Sequence, residues 1–145
     1  MARRCATTRK PTNGSRWEAR RATPRRRRFP SLSSAVEAQE SGGRAGIAGP
    51  QTPYGQAHGL MQVQDATGQE MAQKLGLPWR PDLMRGTDQA SADYQRAIGN
   101  AYLREGIDKT GSTLGGLMYY HGGPNRRYWG PKTRAYAAEV LRRIR

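Results

Sequence analysis

The chain has 145 residues, enough for one domain rather than two, a net charge of +14 and a hydrophobic content of only 35%. Residues 1–30 hold eleven Lys and Arg but one acid, Glu18, so this segment carries +10 of the total charge. The single Cys5 excludes an internal disulfide, and two histidines, His58 and His121, without further cysteines argue against a structural metal site. We expect no metal and no cofactor.

Residues 1–30 also lack a spaced apolar face, which predicts a basic, disordered arm. Such an arm suits an anionic partner, such as nucleic acid, a membrane surface or an anionic cell-wall polymer. A solvated tail without a specific partner explains the same composition. No apolar run reaches the length of a signal peptide or a membrane span, so neither is expected.

The first predicted helix follows Pro30, is capped by Ser31 or Ser33, and ends at the pair Gly42 and Gly43. The next stretch, residues 44–58, is rich in glycine and proline and is predicted to be a long loop.

Further helices are predicted from about Asp65 to Leu75, from a cap at Thr87 or Asp88 to the residue before Gly111, from Thr113 to Tyr120, and from Pro131 to about Arg143. No convincing alternating strand pattern occurs anywhere. We therefore expect residues 31–145 to form one domain that is all-α, or nearly so.

Two glutamates, Glu37 and Glu40, lie three residues apart near the end of the first predicted helix, so they share a face. Taken alone, they suggest ordinary solvated charges. Glu40, however, directly precedes Ser41 and the glycine pair, where a ligand can approach the backbone closely. Glu40 is therefore the stronger candidate for a catalytic acid.

Four short motifs occur in a fixed order: "ESGG" at 40–43, "GLMQ" at 59–62, "YYHGGP" at 119–124 and "TRAY" at 133–136. In this order and spacing they resemble the lytic transglycosylases of the soluble-lytic-murein-transglycosylase (SLT) type, whose fold is that of goose-type lysozyme. The resemblance covers roughly residues 33–145. It implies a lysozyme-like transglycosylase domain that acts on the glycan strands of peptidoglycan.

The resemblance places the family's acid on Glu40 and gives Glu37 no required role. It implies that Glu40 protonates the β-1,4 glycosidic oxygen between N-acetylmuramic acid and N-acetylglucosamine. Burial against apolar and aromatic neighbours would keep this carboxyl protonated near neutral pH. The expected neighbours are Leu60, Met61, Tyr120 and Tyr136.

The other implied site residues bind or orient. Gln62 is expected to hydrogen-bond the sugar, and Met61 and Tyr120 to line the saccharide cleft. Tyr136 is expected to direct its hydroxyl at Glu40, and Ser41 to fix the surroundings of the acid by a backbone bond. Core packing is the competing interpretation for Met61 and Tyr136.

Most glycosidases use two carboxylates, but the motifs supply one. The resemblance implies substrate assistance instead: the N-acetyl carbonyl stabilises positive charge, and the sugar's own C6 hydroxyl closes on C1 to leave a 1,6-anhydromuramic end. Three alternatives stay open. One is a hydrolytic muramidase on the same fold, although we expect the nearest other carboxylate, Asp65, to cap a helix. Another is a nucleic-acid-binding protein that works through the basic arm. The third is an inactive module that binds the cell wall.

His121 departs from the family pattern, which usually has Asn at that position, although a neutral imidazole still donates one hydrogen bond. The expected site of action is the periplasm or cell wall. Because no signal peptide is expected, we predict delivery by a phage virion or by a secretion machine.

Overall fold

The computed structural model describes the backbone of residues 24–144 and the side chains of residues 31–144. This part of the chain is mostly helical with one small sheet, which confirms the expected fold class. The helices are α1 (Pro24–Ser41), α2 (Asp65–Leu75), α3 (Pro81–Arg85), α4 (Gln89–Thr110), α5 (Thr113–Gly122) and α6 (Pro131–Arg142). The strands are β1 (Ala48–Thr52), β2 (Gly55–His58) and β3 (Val63–Gln64), and a 3₁₀ turn covers Arg126–Tyr128.

The start of the first helix was predicted wrongly. Helix α1 begins at Pro24, so Ser31 and Ser33 lie inside it and cap nothing. The prediction treated Pro30 as a stop, but the arginines before it are good helix formers and the helix runs through the proline. Ser33 is buried, and its hydroxyl donates to Asn100 Oδ1 at 2.6 Å, which ties α1 to α4.

The predicted arm of residues 1–30 lies mostly outside the described residues. Where its backbone is described, at residues 24–30, it is helical rather than disordered. The division of the chain at residue 30 stays a prediction.

The predicted loop of residues 44–58 contains most of a small antiparallel sheet with the order β1-β2-β3. Strands β1 and β2 form a hairpin whose last pair is Thr52 with Gly55, and β2 pairs with β3 through His58 and Val63. Strand β1 is exposed at four of its five positions. Because short, exposed strands need no alternation of apolar and polar residues, the sequence carried no strand pattern.

The remaining helix ends follow local signals closely. Gly76 and Gly111 adopt the left-handed conformation, at φ 69° and 77°, and end α2 and α4 as predicted. The Asp88 carboxylate accepts a hydrogen bond from the Ser91 amide and caps α4. The cap expected at Asp65 is displaced by one residue: Gln64 is the N-cap of α2, and Asp65 lies in the first turn. Helix α3 and the 3₁₀ turn were not predicted.

The helices enclose one core, with α4 packed against α2, α3 and α5, and α1 packed against α6. Its fully buried side chains include Val36, Met61, Met71, Ile98, Leu103, Leu117 and Val140. Gly99 permits the closest approach in α4, because a Cβ atom there would lie 2.4 Å from Met61 Sδ. No helix among the described residues is both long and apolar enough to cross a membrane.

Gln95 joins three segments to α4 through its buried amide. Its Oε1 accepts from the Gly46 amide at 3.0 Å and from the Leu60 amide at 2.9 Å. Its Nε2 donates to the carbonyls of Leu83 at 2.8 Å and Gly86 at 2.9 Å. One side chain therefore fixes the segment after α1, the start of "GLMQ" and the end of α3.

We predict that Gln95→Leu strongly destabilises the fold. The change leaves two backbone amides and two carbonyls without hydrogen-bond partners, and each buried group without a partner costs about 1–3 kcal/mol. Urea unfolding should therefore show a loss of several kcal/mol, about 2–5 in total. The matched control is Gln89→Leu in the same helix, where an exposed side chain bonds only Asp93. Equal losses in the two variants would refute the role given to Gln95.

Candidate active site

Glu40 on α1 and Tyr136 on α6 contact each other where the two helices pack together. Glu40 lies in the last turn of α1, and the Tyr136 hydroxyl donates to its Oε1 at 2.7 Å. Tyr136 is buried, and its neighbours Ala137 and Val140 belong to the core. The packing of α6 against α1 thus aims this hydroxyl at the carboxyl, the contact expected from the sequence.

Burial raises the pKa of Glu40 to about 7, and the hydrogen bond from Tyr136 lowers it in part. Burial removes water that would stabilise the carboxylate, while the hydroxyl offsets some of that loss. About half of the Glu40 carboxyls are therefore protonated at neutral pH. Such a carboxyl can donate a proton and take one back in the same cycle.

Tyr136 remains a neutral donor, because burial, followed by the nearby Glu40, raises its pKa far above the usual range. The ring of His121 stacks on Tyr136 with centroids 4.6 Å apart. His121 Nδ1 lies 3.1 Å from Thr133 Oγ1, and partial burial lowers the pKa of the imidazole. The histidine that replaces the family's usual Asn is thus a neutral ring that packs on the tyrosine.

A cleft of about 1200 Å³ opens beside Glu40. Four of the predicted site residues line it: Glu40, Gln62, Tyr120 and His121. Its walls come from the hairpin, the segment before α2, the end of α5 and the start of α6. Among the residues that the structure describes, Glu40 is the only carboxylate in this lining.

Gln62 shapes one wall of the cleft with a strained backbone. Its φ is 51°, the only positive value at a non-glycine residue among the described positions. Its Nε2 donates to the carbonyls of Ile47 at 2.9 Å and Gly59 at 3.0 Å. Backbone strain of this kind concentrates at ligand sites, since only the surrounding structure maintains it.

A hydrogen bond joins the Tyr120 side chain to the backbone of Met61. The Met61 side chain is 1% exposed and lies in the core, outside the cleft lining, whereas its carbonyl accepts a hydrogen bond from the Tyr120 hydroxyl. Tyr120 lines the cleft and packs on Tyr102, with ring centroids 5.3 Å apart. Cleft lining and core packing were the two interpretations of Met61, and the structure places its side chain in the core.

Ser41 fixes the turn that follows Glu40 rather than lining the cleft. Its hydroxyl donates to the Glu37 carbonyl at 3.1 Å and accepts from the Arg44 amide at 3.2 Å. Gly42 and Gly43 follow with φ values of 65° and 78°, which side-chain-bearing residues rarely adopt. The two glycines therefore turn the chain sharply directly after the carboxyl.

Glu37 has a different partner. Its Oε1 lies 2.6 Å from Arg96 Nε, and its side chain is 12% exposed. It therefore forms an ion pair between α1 and α4 and does not line the cleft. The two glutamates that looked alike in the sequence differ in partner and surroundings.

Sequence reasoning missed several cleft residues. Tyr54 at the hairpin turn and Tyr128 in the 3₁₀ turn both line the cleft, with exposed fractions of 86% and 73%. Lys132, next to the "TRAY" motif, also lines it. The only feature of the sequence that could have identified such a residue was its closeness to one of the four motifs.

Asp65, the carboxylate nearest to a motif, is absent from the cleft lining. It pairs with Arg85 at 2.8 Å.

Comparison with known proteins identifies the family of the chain. The family model described as "Transglycosylase SLT domain" matches residues 18–141. A protein named "Transglycosylase" from Enterobacteria phage PRD1 is 33% identical over 117 residues, which are 79% of this chain. The chain spans 37% of that relative's length. The resemblance drawn from the four motifs is confirmed: the chain belongs to the transglycosylase SLT domain family.

Proposed function

We propose that this protein is a peptidoglycan lytic transglycosylase. In this proposal it cleaves the β-1,4 bond between N-acetylmuramic acid and N-acetylglucosamine and leaves 1,6-anhydromuramic ends. Glu40 serves as both the acid and the base. The observation that carries the proposal is a buried carboxyl with a pKa near 7, hydrogen-bonded to Tyr136 in a cleft that no other described carboxylate lines.

In the first step, protonated Glu40 gives its proton to the bridging oxygen as the bond from that oxygen to C1 of the muramic sugar breaks. The sugar's own N-acetyl carbonyl stabilises the positive charge that develops at C1. The Tyr136 hydroxyl stabilises the carboxylate that this step produces, because its hydrogen bond to Glu40 becomes stronger once the proton has left.

In the second step, ionised Glu40 removes the proton of the C6 hydroxyl, and the C6 oxygen bonds to C1. The carboxyl is restored and no water is consumed. An internal nucleophile is favoured because it is already tethered to the reacting carbon.

A hydrolytic muramidase is the competing outcome, and it would need a second carboxylate to activate water. The lining of the cleft gives it no support, because Glu40 is the only carboxylate that residues 31–144 place there and Asp65 pairs with Arg85. The chemistry of the released ends separates the two reactions.

The proposed substrate lies outside the cytoplasm, in the periplasm or cell wall. The named relative comes from a phage, which favours delivery with a virion over delivery by a secretion machine. The suggestion that residues 1–30 bind nucleic acid or another anionic polymer falls largely outside the described residues and stays a prediction.

Glu40→Gln should abolish cleavage of purified peptidoglycan. Loss of a general acid typically lowers a rate by about 10²–10⁴-fold. Glu37→Gln is the matched control, because a glutamine oxygen still accepts a hydrogen bond from Arg96. Release of soluble fragments is the measurement, with circular dichroism to check folding. Comparable large losses in both variants would contradict the assignment.

The rate should fall as the pH rises through about 7, since ionised Glu40 cannot start the reaction. The same titration affects stability: the raised pKa favours the folded state below pH 4.5, and this advantage disappears by about pH 7. The contribution of this titration to the free energy of unfolding is about 3 kcal/mol at most. The melting temperature of Glu40→Gln relative to the unmodified chain should therefore increase from pH 4.5 to 7. A rate that rises through pH 7 would exclude protonated Glu40 as the acid.

The products should carry 1,6-anhydromuramic ends, about 18 Da lighter than hydrolysed ends because no water is added. Tyr136→Phe should lower the rate without altering the product, since its hydroxyl orients Glu40 and does not choose the nucleophile. Mass spectrometry of the released muropeptides gives both results. Mainly hydrated, reducing ends would instead support the muramidase.

A further inference from the structure

Six of the thirteen Lys and Arg side chains in the described part of the chain form an ion pair with a carboxylate. Ion pairs of 4.0 Å or less involve Lys74, Arg80, Arg85, Arg96, Lys109 and Arg142. They lie on α2, α3, α4 and the end of α6, and none of them lines the cleft.

A second group of cations differs from these. Arg126, Arg127 and Lys132, together called the basic strip, are exposed and form no ion pair with any described carboxylate. The sequence between Asp108 and Glu139 contains no Asp or Glu, so no local acid is available to pair with them.

The basic strip begins beside the cleft and ends in its lining. Lys132 lines the cleft directly. Arg126 and Arg127 are not in the lining, but they lie in the chain between Asn125 and Tyr128, which both line it. Arg126 also packs over the Trp129 ring, 5.1 Å from its centroid, which restricts the positions open to the guanidinium. The charge of Lys132 is therefore in the cleft, and those of the two arginines are attached next to residues of its lining.

No second carboxylate from the described part of the chain lines the cleft to balance the basic strip. Glu40 is the one that does, and burial keeps it largely protonated below neutral pH. Neighbouring like charges repel one another, so the strip lowers its free energy when an anion binds.

The backbone sugars of a glycan strand are uncharged. Negative charge enters at the lactyl group of muramic acid, either as its own free carboxylate or as the carboxylates of a peptide attached there. We propose that the basic strip binds carboxylates carried on muramic acid and thereby selects muramyl glycan over neutral glycans such as chitin. This inference rests on the proposed function, because it requires the cleft to hold a glycan strand.

The test compares binding of soluble muramyl tetrasaccharides to the full chain, with Glu40→Gln present throughout so that the ligand is not consumed. Three forms are used: one with intact stem peptides, one with the stem carboxylates capped as amides, and one with the peptides removed so that lactyl carboxylates are free. Dissociation constants are measured by calorimetry for the strip variant, which combines Arg127→Gln and Lys132→Gln. The control, Arg80→Gln with Arg142→Gln, removes the same charge from exposed ion pairs outside the cleft lining.

The strip variant should bind the intact form roughly 2- to 30-fold more weakly at low salt, with a smaller loss at high salt. The control variant and the capped ligand should show little loss. A loss also seen with free lactyl carboxylates assigns the contact to the lactyl group, and a loss seen only with intact stems assigns it to the peptide.

Equal weakening by the control pair, equal weakening for the capped ligand, or no weakening at all would overturn the inference. So would weaker binding of duplex DNA by the strip variant with muramyl binding unchanged, which would make nucleic acid the partner. These binding results do not depend on cleavage. A failure of the proposed function would appear separately, as the wrong end groups or as a Glu40→Gln chain that still cleaves.

Discussion

The hydrogen bond between Tyr136 and Glu40 is the contact on which the rest of the site depends. It joins residues 96 positions apart at 2.7 Å, and it exists because α1 and α6 pack together. Burial raises the pKa of the carboxyl, and the tyrosine hydroxyl prevents that rise from going further. The balance of these two effects leaves the pKa near neutrality, where one group can serve as acid and then as base.

The surroundings of this contact are built to stay rigid. Ser41 and the two glycines turn the chain directly after Glu40, while the Tyr120 hydroxyl bonds the carbonyl of Met61. Gln95 fixes the start of "GLMQ" by accepting a hydrogen bond from the Leu60 amide. The proposed reaction through a single carboxyl needs such support, because a small displacement of the acid would cost much of the rate.

Local signals in the sequence predicted the helix ends well. Gly76, Asp88 and Gly111 act within their own turn, and such effects are visible in a few consecutive residues. Glu40 and Glu37 share one helix face, and in the sequence only the position of Glu40 before Ser41 and the glycine pair favoured it. The family resemblance strengthened that preference, and the structure provides a physical difference: Glu37 pairs with Arg96, and Glu40 lines the cleft.

Long-range contacts were beyond prediction from the sequence. Gln95 bonds residues 49 and 35 positions away, and a glutamine in a helix gives no sign of this. The exposed strands lacked an alternating pattern, and Pro30 wrongly suggested the start of a helix that begins at Pro24. The sequence shows that no Asp or Glu lies near the basic strip, but its place beside the cleft depends on the fold, which is why the strip was missed.

The most direct test of this account is the pKa of Glu40 in the folded protein. Carbon-13 labelling of the glutamate side chains, with Glu40→Gln to assign the signal, would follow this carboxyl by nuclear magnetic resonance as the pH changes. The account predicts a titration near 7, moving higher in Tyr136→Phe. A titration near the ordinary value of 4.5 would mean that Glu40 is ionised at neutral pH and would contradict its role as the acid.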